Sequence, residues 1–367
     1  MINFDDRLVK LKDRRQGTVE RNRLEIGLES ISTDFRINEN YEQLKENSAI
    51  KYVIGSMAAV SEKSTETSIA EGERVATTLI GLLETAGVST EFKMQGSVAL
   101  DIHIEGYSDV DMLILKKGIV GVETPTIGNY SPPSDPRPLL EIVKEIRTES
   151  EAKLTSRYHA AVVDCNGSKS IAVSGGSLMR HIDIVPSCWY DSLIYQSTQM
   201  EHDRPVKIYD KSNHCFIENS PFLHIKRVND KDAHYGGNLK KVIRLMKNIR
   251  ADMPDNKKRT AKALSSYDLA GIAFHMDDAL QCSQYLPLAL LEKTRWYLSL
   301  LVASQPLRDL ITVPDNTRKV FNEDAKLAAL TTLCDEVDAL AKAVQKAIEP
   351  TSYTYNSDSL TSRMIYM

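Results

Sequence analysis

Long apolar runs are missing from this 367-residue chain. No segment approaches the ~18 consecutive apolar residues of a membrane span, so no membrane partner is expected. Cysteine is scarce too. Cys165, Cys188, Cys215, Cys282 and Cys334 are odd in number, scattered and never spaced C-x-x-C, which argues for free thiols in a reducing cytoplasm rather than a disulfide framework. The opening Met1-Ile2-Asn3-Phe4-Asp5-Asp6 has neither the basic nor the apolar region of a secretion signal. Neither charge sign prevails. With 46 basic and 50 acidic residues the formal charge is −4, which excludes binding to DNA or anionic lipid by bulk electrostatics while leaving room for a local basic cleft. The patterns G-x-x-x-x-G-K-[ST], G-x-G-x-x-G, G-x-S-x-G and H-E-x-x-H are all absent, which removes P-loop, dinucleotide-binding, hydrolase-elbow and zincin chemistry. What is present is 42% hydrophobic and 26% charged residues, enough for a sizeable core, in a length that at roughly 150 residues per domain suggests two lobes or one large elaborated domain.

Hydrophobic periodicity divides the chain. Residues 1–60 are rich in charge, and Leu8, Leu11 and Val19 form only a loose apolar stripe, the mark of a helical arm. Over Thr67–Thr85 the residues Ala76, Leu79, Ile80 and Leu83 recur with helical spacing, and Gly87 stands where a C-terminal glycine cap belongs. Asp101-Ile102-His103-Ile104 alternates, and Val110–Leu115 is the near-continuous apolar run of a buried strand. A loop with Pro125, Gly128, Pro132, Pro133, Pro136 and Pro138 follows, then a helix over Leu139–Leu154. Hairpins are expected around Asn166-Gly167 and Lys211-Ser212-Asn213, and an apolar strand over His181–Val185 that ends at Pro186. From Asn229 onward the period is helical, with Leu239, Val242, Ile243 and Met246 on one stripe and Leu330, Leu333, Val337, Leu340 and Val344 on another. The expected domains are a mixed α/β core with its N-terminal arm (1–228), a helical lobe (229–350) and an irregular tail (351–367).

The chemistry concentrates in Gln95-Gly96-Ser97 and, after eleven intervening residues, Asp109-Val110-Asp111. Residues i and i+2 of a strand face the same side, so two carboxylates project together from a strand built to be buried. Such a pair costs several kcal/mol unless a cation neutralises it. A divalent metal with oxygen ligands answers this, since phosphate-bound Mg²⁺ takes one or two carboxylates plus substrate oxygens. Gly96-Ser97 offers a close backbone approach and a hydroxyl to phosphate. Asp183, alone among the apolar residues of His181-Ile182-Asp183-Ile184-Val185, supplies a third acid of the kind that two metals roughly 3.5–4 Å apart would share in a phosphoryl displacement. D-x-D alone is a weak signal where about one residue in seven is acidic. Asp230-Lys231-Asp232 repeats it without an apolar strand and reads as a solvated loop. Lys240, Arg244 and Lys247 lie at i, i+4 and i+7, away from the Leu239–Met246 stripe, and taken alone read as a solvated face. Ser265-Ser266-Tyr267 opens the next helix, so that a Lys and a Ser can hold a triphosphate and a ring can stack a base. Lys257-Lys258-Arg259 with Lys262 reads as a basic surface loop, and His103 and His181 as core or cleft residues.

With these residues in place the chain resembles the polymerase-β-type nucleotidyltransferases and, among them, the cGAS/DncV-like synthases (CD-NTases) of bacterial anti-phage, CBASS-type signalling. The resemblance rests on Gln95-Gly96-Ser97, Asp109-x-Asp111, His181-Ile182-Asp183-Ile184-Val185-Pro186, Arg244-Leu245-Met246-Lys247 and Leu264-Ser265-Ser266-Tyr267, spanning about residues 67–280. It implies an α+β fold: a bilobed polymerase-β-like nucleotidyltransferase core, a mixed sheet with helices, plus a C-terminal helical lobe. It implies Asp109, Asp111 and Asp183 as ligands of two Mg²⁺ (or Mn²⁺), with Asp183 helping to activate the acceptor hydroxyl. It also implies Ser97, Lys247 and Ser266 on the donor triphosphate, Tyr267 on the donor base, and Gln95 and Gly96 in the same loop. The implied reaction joins NTPs (ATP and/or GTP, with UTP and CTP open) into a cyclic di- or trinucleotide second messenger, sensed by a separate effector protein; regulatory partner proteins stay open. The zinc insertion of the animal DNA sensor of this group has no counterpart near His214-Cys215, so DNA is not expected as a partner. The rival readings are a template-independent RNA 3′-end nucleotidyltransferase, an inactive NTP- or RNA-binding scaffold of the same fold, and a nucleotidyltransferase acting on a protein or antibiotic.

Overall fold

The computed structural model describes residues 2–16, 39–127, 129–130 and 135–366. Val19, Gly128, Pro132 and Pro133, drawn on above, lie outside the described residues. Among those described, the long helices are α1 (Phe4–Arg15), α2 (Ser48–Met57) and α3 (Glu62–Thr85), which precede the sheet. A one-turn helix, α4 (Gly96–Ala99), follows the first strand, and α5 (Leu139–Arg157) lies within the sheet region. After the sheet come α6 (Pro221–His234), α7 (Asn238–Asp252), α8 (Asp255–Ala261), α9 (Ser266–Phe274), α10 (Pro287–Ala303) and α11 (Asp324–Ile348). The strands are β1 (Thr90–Gln95), β2 (Val110–Lys116), β3 (Gly121–Val122), β4 (Val162–Asp164), β5 (Ile171–Ser174), β6 (Ile182–Asp191), β7 (Val206–Asp210) and β8 (Cys215–Asn219).

They form one mixed sheet in the order β1-β2-β6-β5-β4, with β7 and β8 continuing from the far end of β6 and β3 pairing its last residues. The central pair, β2 and β6, is parallel, and β1 and β5 flank it antiparallel. Both central strands are covered on two sides, so their apolar runs are nearly unbroken. Met112, Ile114, Ile182 and Ile184 pack with Val75, Ala76, Leu79 and Leu83 of α3 and Ile146 of α5. Leu113, Leu115 and Val185, of the other parity, pack with Trp189, Val206 and Ile208. Helix α3 closes as its sequence promised: Val88 N–H donates to Leu83 O and Gly87 N–H to Glu84 O, with Gly87 at φ +79°, a Schellman cap with Leu83 and Val88 in the same core.

Several expectations are corrected. Strand β6 runs through Pro186 to Asp191. The Val110 N–H donates to the His181 carbonyl, so alternation turns the Pro186 nitrogen away from β2, into the gap where β5 pairing has ended at Ile184 and β7 pairing starts at Ser187. No ladder bond is lost there. Residues 101–104 form a loop, not a strand, and α3 starts five residues earlier than Thr67, at Glu62, behind a Ser61 cap. Lys257-Lys258-Arg259 belongs to helix α8, and Asp230-Lys231-Asp232 to helix α6, which begins the helical lobe at Pro221. A second large core joins α7, α9, α10 and α11 with Phe4, Leu8 and Leu11 of α1 and Ile50, Val53 and Ile54 of α2, so the N-terminal helices pack into the helical lobe. The tail contributes Leu360 and Ile365 to that core. All five cysteines are free thiols. No helix among the described residues is long and apolar enough to cross a membrane.

Candidate active site

The site is assembled by strand register. Gln95 on β1 pairs with Asp111 on β2, and Asp111 pairs with Asp183 on β6, so the three stand in one row across the sheet. Asp111 and Asp183 share parity with Leu113 and Val185 and so project on the face away from α3 and α5. Asp109 immediately precedes β2 and has the same parity. The chain leaves β1 through Gly96 at φ +76°, where a Cβ would stand 2.1 Å from Oδ2 of Asp111. Only glycine permits both the left-handed turn and this approach.

Facing the acids is the helical lobe. A cleft of about 370 Å³ is lined on the sheet side by Gln95, Gly96, Ser97, Ser108, Asp109, Asp111 and, at the end of β8, Asn219, and on the other by His224, Lys247, Ser265, Ser266 and Tyr267. Asp183 stands beside Asp111 in the row but is not part of this lining. The two serines divide the labour. Ser265 caps α9 in a reciprocal box with Asp268, its hydroxyl accepting the Asp268 N–H while the Ser265 N–H donates to the Asp268 carboxylate. Ser266 is left to the cleft, accepting from Arg250 Nη2 at 3.1 Å. The Tyr267 hydroxyl donates to the Asp315 carboxylate, and its ring lies flat on His224.

The solvated face expected for Lys240, Arg244 and Lys247 does not occur: Arg244 and Lys247 are buried. Arg244 donates to the carbonyls of Met57 (2.9 Å) and Asp101 (2.6 Å), and Lys247 Nζ to the carbonyl of Ile102 (2.8 Å). Arg244 is thus a brace between loops, and Lys247 lies at the cleft wall. Of the histidines, His181 is exposed just before β6 and His103 is buried behind the cleft, its Nε2 3.3 Å from the Thr65 hydroxyl. Sequence reasoning missed His224, Asn219, Ser108, Arg250 and Asp315. Ser108 directly precedes Asp109 and carries no pattern of its own; tertiary packing brings His224 and Asn219 to the cleft and sets Arg250 and Asp315 behind Ser266 and Tyr267.

The electrostatics are those of a site short of positive charge. Desolvation pushes the Asp111 carboxyl up to about 7, with Asp183 and Asp109 adding and Lys247 opposing. Desolvation and then Asp109 push Asp183 up to about 6, and desolvation raises Asp109. Burial brings Lys247 down to about 7, and Arg250 adds to it. Three desolvated carboxylates, with Asp111 and Asp183 further raised by neighbouring acids, fit a hard divalent cation. Among the described residues no cluster of three or more His, Cys, Asp or Glu is gathered closely enough to hold a metal alone.

A carboxylate row on a mixed sheet, opposed across a cleft by Lys, Ser and Tyr from a helical lobe, defines a polymerase-β-type nucleotidyltransferase. The sequence profile of the cGAS/DncV-like nucleotidyltransferase C-terminal helical domain matches residues 226–341. The chain is 36% identical to the cyclic dinucleotide synthase CdnE of Yersinia aleksiciae, over 99% of both chains. It is 31% identical to a c-di-GMP synthase of Capnocytophaga granulosa, over 68% of this chain and 74% of the relative. The solved structure of a STING-associated CdnE c-di-GMP synthase from Capnocytophaga granulosa matches with a TM-score of 0.71 at 25% identity, covering 94% of this chain and 99% of that one. The chain belongs to the cGAS/DncV-like nucleotidyltransferases.

Proposed function

We propose that this enzyme joins nucleoside triphosphates into a cyclic dinucleotide second messenger. The observation that carries this reading is the Gln95–Asp111–Asp183 row in strand register, with Gln95, Asp109 and Asp111 facing Lys247, Ser266 and Tyr267 across one cleft. The product names of the relatives favour a dinucleotide over a larger ring. Asp109, Asp111 and Asp183 would hold Mg²⁺, which would neutralise the carboxylates and draw charge from the triphosphate. Ser97, Lys247 and Ser266 would hold the donor triphosphate, and Tyr267 would stack the donor base. In each transfer an acceptor ribose hydroxyl attacks the donor α-phosphorus, one P–O bond forms, the bond to the β-phosphate oxygen breaks, and pyrophosphate leaves. Asp183 would help to activate the acceptor hydroxyl and take its proton. Positioning and charge do the rest. We place the enzyme in cytoplasmic, anti-phage signalling, with a separate effector reading the product.

The test is incubation with ATP, GTP, CTP and UTP, one radiolabelled at a time, with Mg²⁺ or Mn²⁺ and then phosphatase. A phosphatase-resistant product, absent with Asp109→Ala and with chelator, is expected, and the labels it carries name its bases. A ladder on added RNA, or no labelled product with any NTP and metal, would refute the reading.

A further inference from the structure

Tyr267 is held more firmly than an exposed stacking residue needs to be. Its hydroxyl donates to the buried carboxylate of Asp315, which itself accepts the Thr317 N–H at 3.1 Å and the Thr317 hydroxyl at 2.8 Å. The guanidinium of Arg318, bonded to Asp268, sits 5.9 Å from the ring centre. One ring face is covered by the imidazole of His224, with centroids 4.2 Å apart and planes within 16°. His224 comes from α6 and lines the same cleft. It is 6% exposed, and its Nδ1 has no hydrogen-bond partner. Burial lowers its pKa to about 4, so the ring is neutral at ordinary pH.

A neutral imidazole that commits its flat face to a tyrosine, and leaves a ring nitrogen without a partner, serves through stacking rather than through hydrogen bonding. A tyrosine free to rotate loses that freedom when a base stacks on it; one already fixed in plane does not. We propose that His224 is a positioning residue for the nucleobase: it backs the Tyr267 ring so that an incoming nucleotide meets an aromatic surface set in one orientation. This rests on the nucleotide-binding reading above and deepens it. An aromatic pair of this geometry supports about a three- to tenfold effect on affinity, and it acts on the base, not on the phosphates.

The experiment is calorimetric titration of the full chain, with Mg²⁺, using a non-hydrolysable ATP or GTP analogue and, separately, inorganic tripolyphosphate. His224→Leu should weaken the analogue about three- to tenfold and leave tripolyphosphate unchanged. His224→Phe, which restores a stacked ring, should bind the analogue within about twofold of wild type, with a Tm at or above it because a partnerless buried nitrogen is gone. Should the Leu variant not fold, His224→Gln gives the same comparison with Phe. Equal analogue binding by the Leu and Phe variants overturns the proposal. So does tighter binding without the ring, which would mean that His224 occupies the base's own place. A wild-type protein that binds the analogue no better than tripolyphosphate would instead sink the nucleotide reading itself.

Discussion

Gly96→Ala tests, with a single methyl group, whether the acid row depends on a close backbone approach. At φ +76° an alanine carries the left-handed strain of a non-glycine residue, of the order of 1–2 kcal/mol. Its Cβ would also stand 2.1 Å from Oδ2, 2.9 Å from Cγ and 3.3 Å from Cβ of Asp111. The strand cannot retreat, because Asp111 is held in register between Gln95 and Asp183. The carboxylate must therefore turn away by an ångström or more, and a displacement of about 1 Å in a positioning group costs about 10²-fold in rate. Gly118→Ala is the control: φ is +74°, yet nothing lies within 4 Å of the new methyl. Both variants should lose a similar few degrees of Tm. Only Gly96→Ala should lose about a hundredfold or more in turnover of labelled NTP, while Gly118→Ala stays near wild type. If Gly96→Ala turns over normally, or Gly118→Ala falls with it, the collision is not what limits the site.

Two further outcomes follow from buried charge. Asp111 and Asp183, raised to about 7 and about 6, hold their protons in the fold above the pH at which the unfolded chain releases them. Without a divalent cation their contribution to stability is therefore complete below about pH 4, declines as pH rises toward 7, and levels off above. Thermal melts in chelator should show Asp111→Asn declining less than wild type over this window and melting higher at pH 7.5; parallel curves would refute the repulsion. Arg244→Met should strip the Met57 and Asp101 carbonyls of their donor, at about 1–3 kcal/mol each. Denaturant unfolding should shift by that order, and an unshifted midpoint would mean that water replaces the guanidinium.

The acid half of the cleft was readable because a strand leaves few choices. An aspartate inside an apolar run is conspicuous, its parity fixes which way it faces, and one register sets Asp111 beside Asp183. The loop at 101–104 misled because alternation over four residues is also what a loop shows when Ile102 and Ile104 are tucked into the protein. The lobe half was less legible for a different reason. The stripe of Leu239, Val242, Ile243 and Met246 located the core side of α7 correctly, but nothing in a helical pattern tells a cation facing water from one facing carbonyl oxygens. Arg244 and Lys247 are of the second kind, since the C-terminal end of α2 and the loop after α4 present Met57, Asp101 and Ile102 to them. His224 and Asp315 were invisible because single residues, far apart in sequence, meet only around Tyr267.

The same contacts explain why the chain needs its first helices. Arg14 of α1 pairs with Asp252 and donates to Asn248 at 2.8 Å, and the Tyr52 hydroxyl of α2 donates to Asp252 at 2.8 Å. Asn248 returns a bond to the Ser56 carbonyl at 3.0 Å, beside the one from Arg244 to Met57. Arg7 pairs with Glu336 of α11, which Lys257 of α8 also reaches at 2.7 Å. Helix α7 is thus held by α1 and α2, and Lys247, whose charge reaches Asp111, is fixed in addition by its own bond to the Ile102 carbonyl. The acids are set by strand register in one core, and the helix that carries the cation by the N-terminal helices in the other, with the loop after α4 tying the two together. The cleft is the seam where these two supports meet, so a residue such as Arg14, which the cleft lining does not include, bears through Asn248 and Asp252 on where α7 stands relative to the acids.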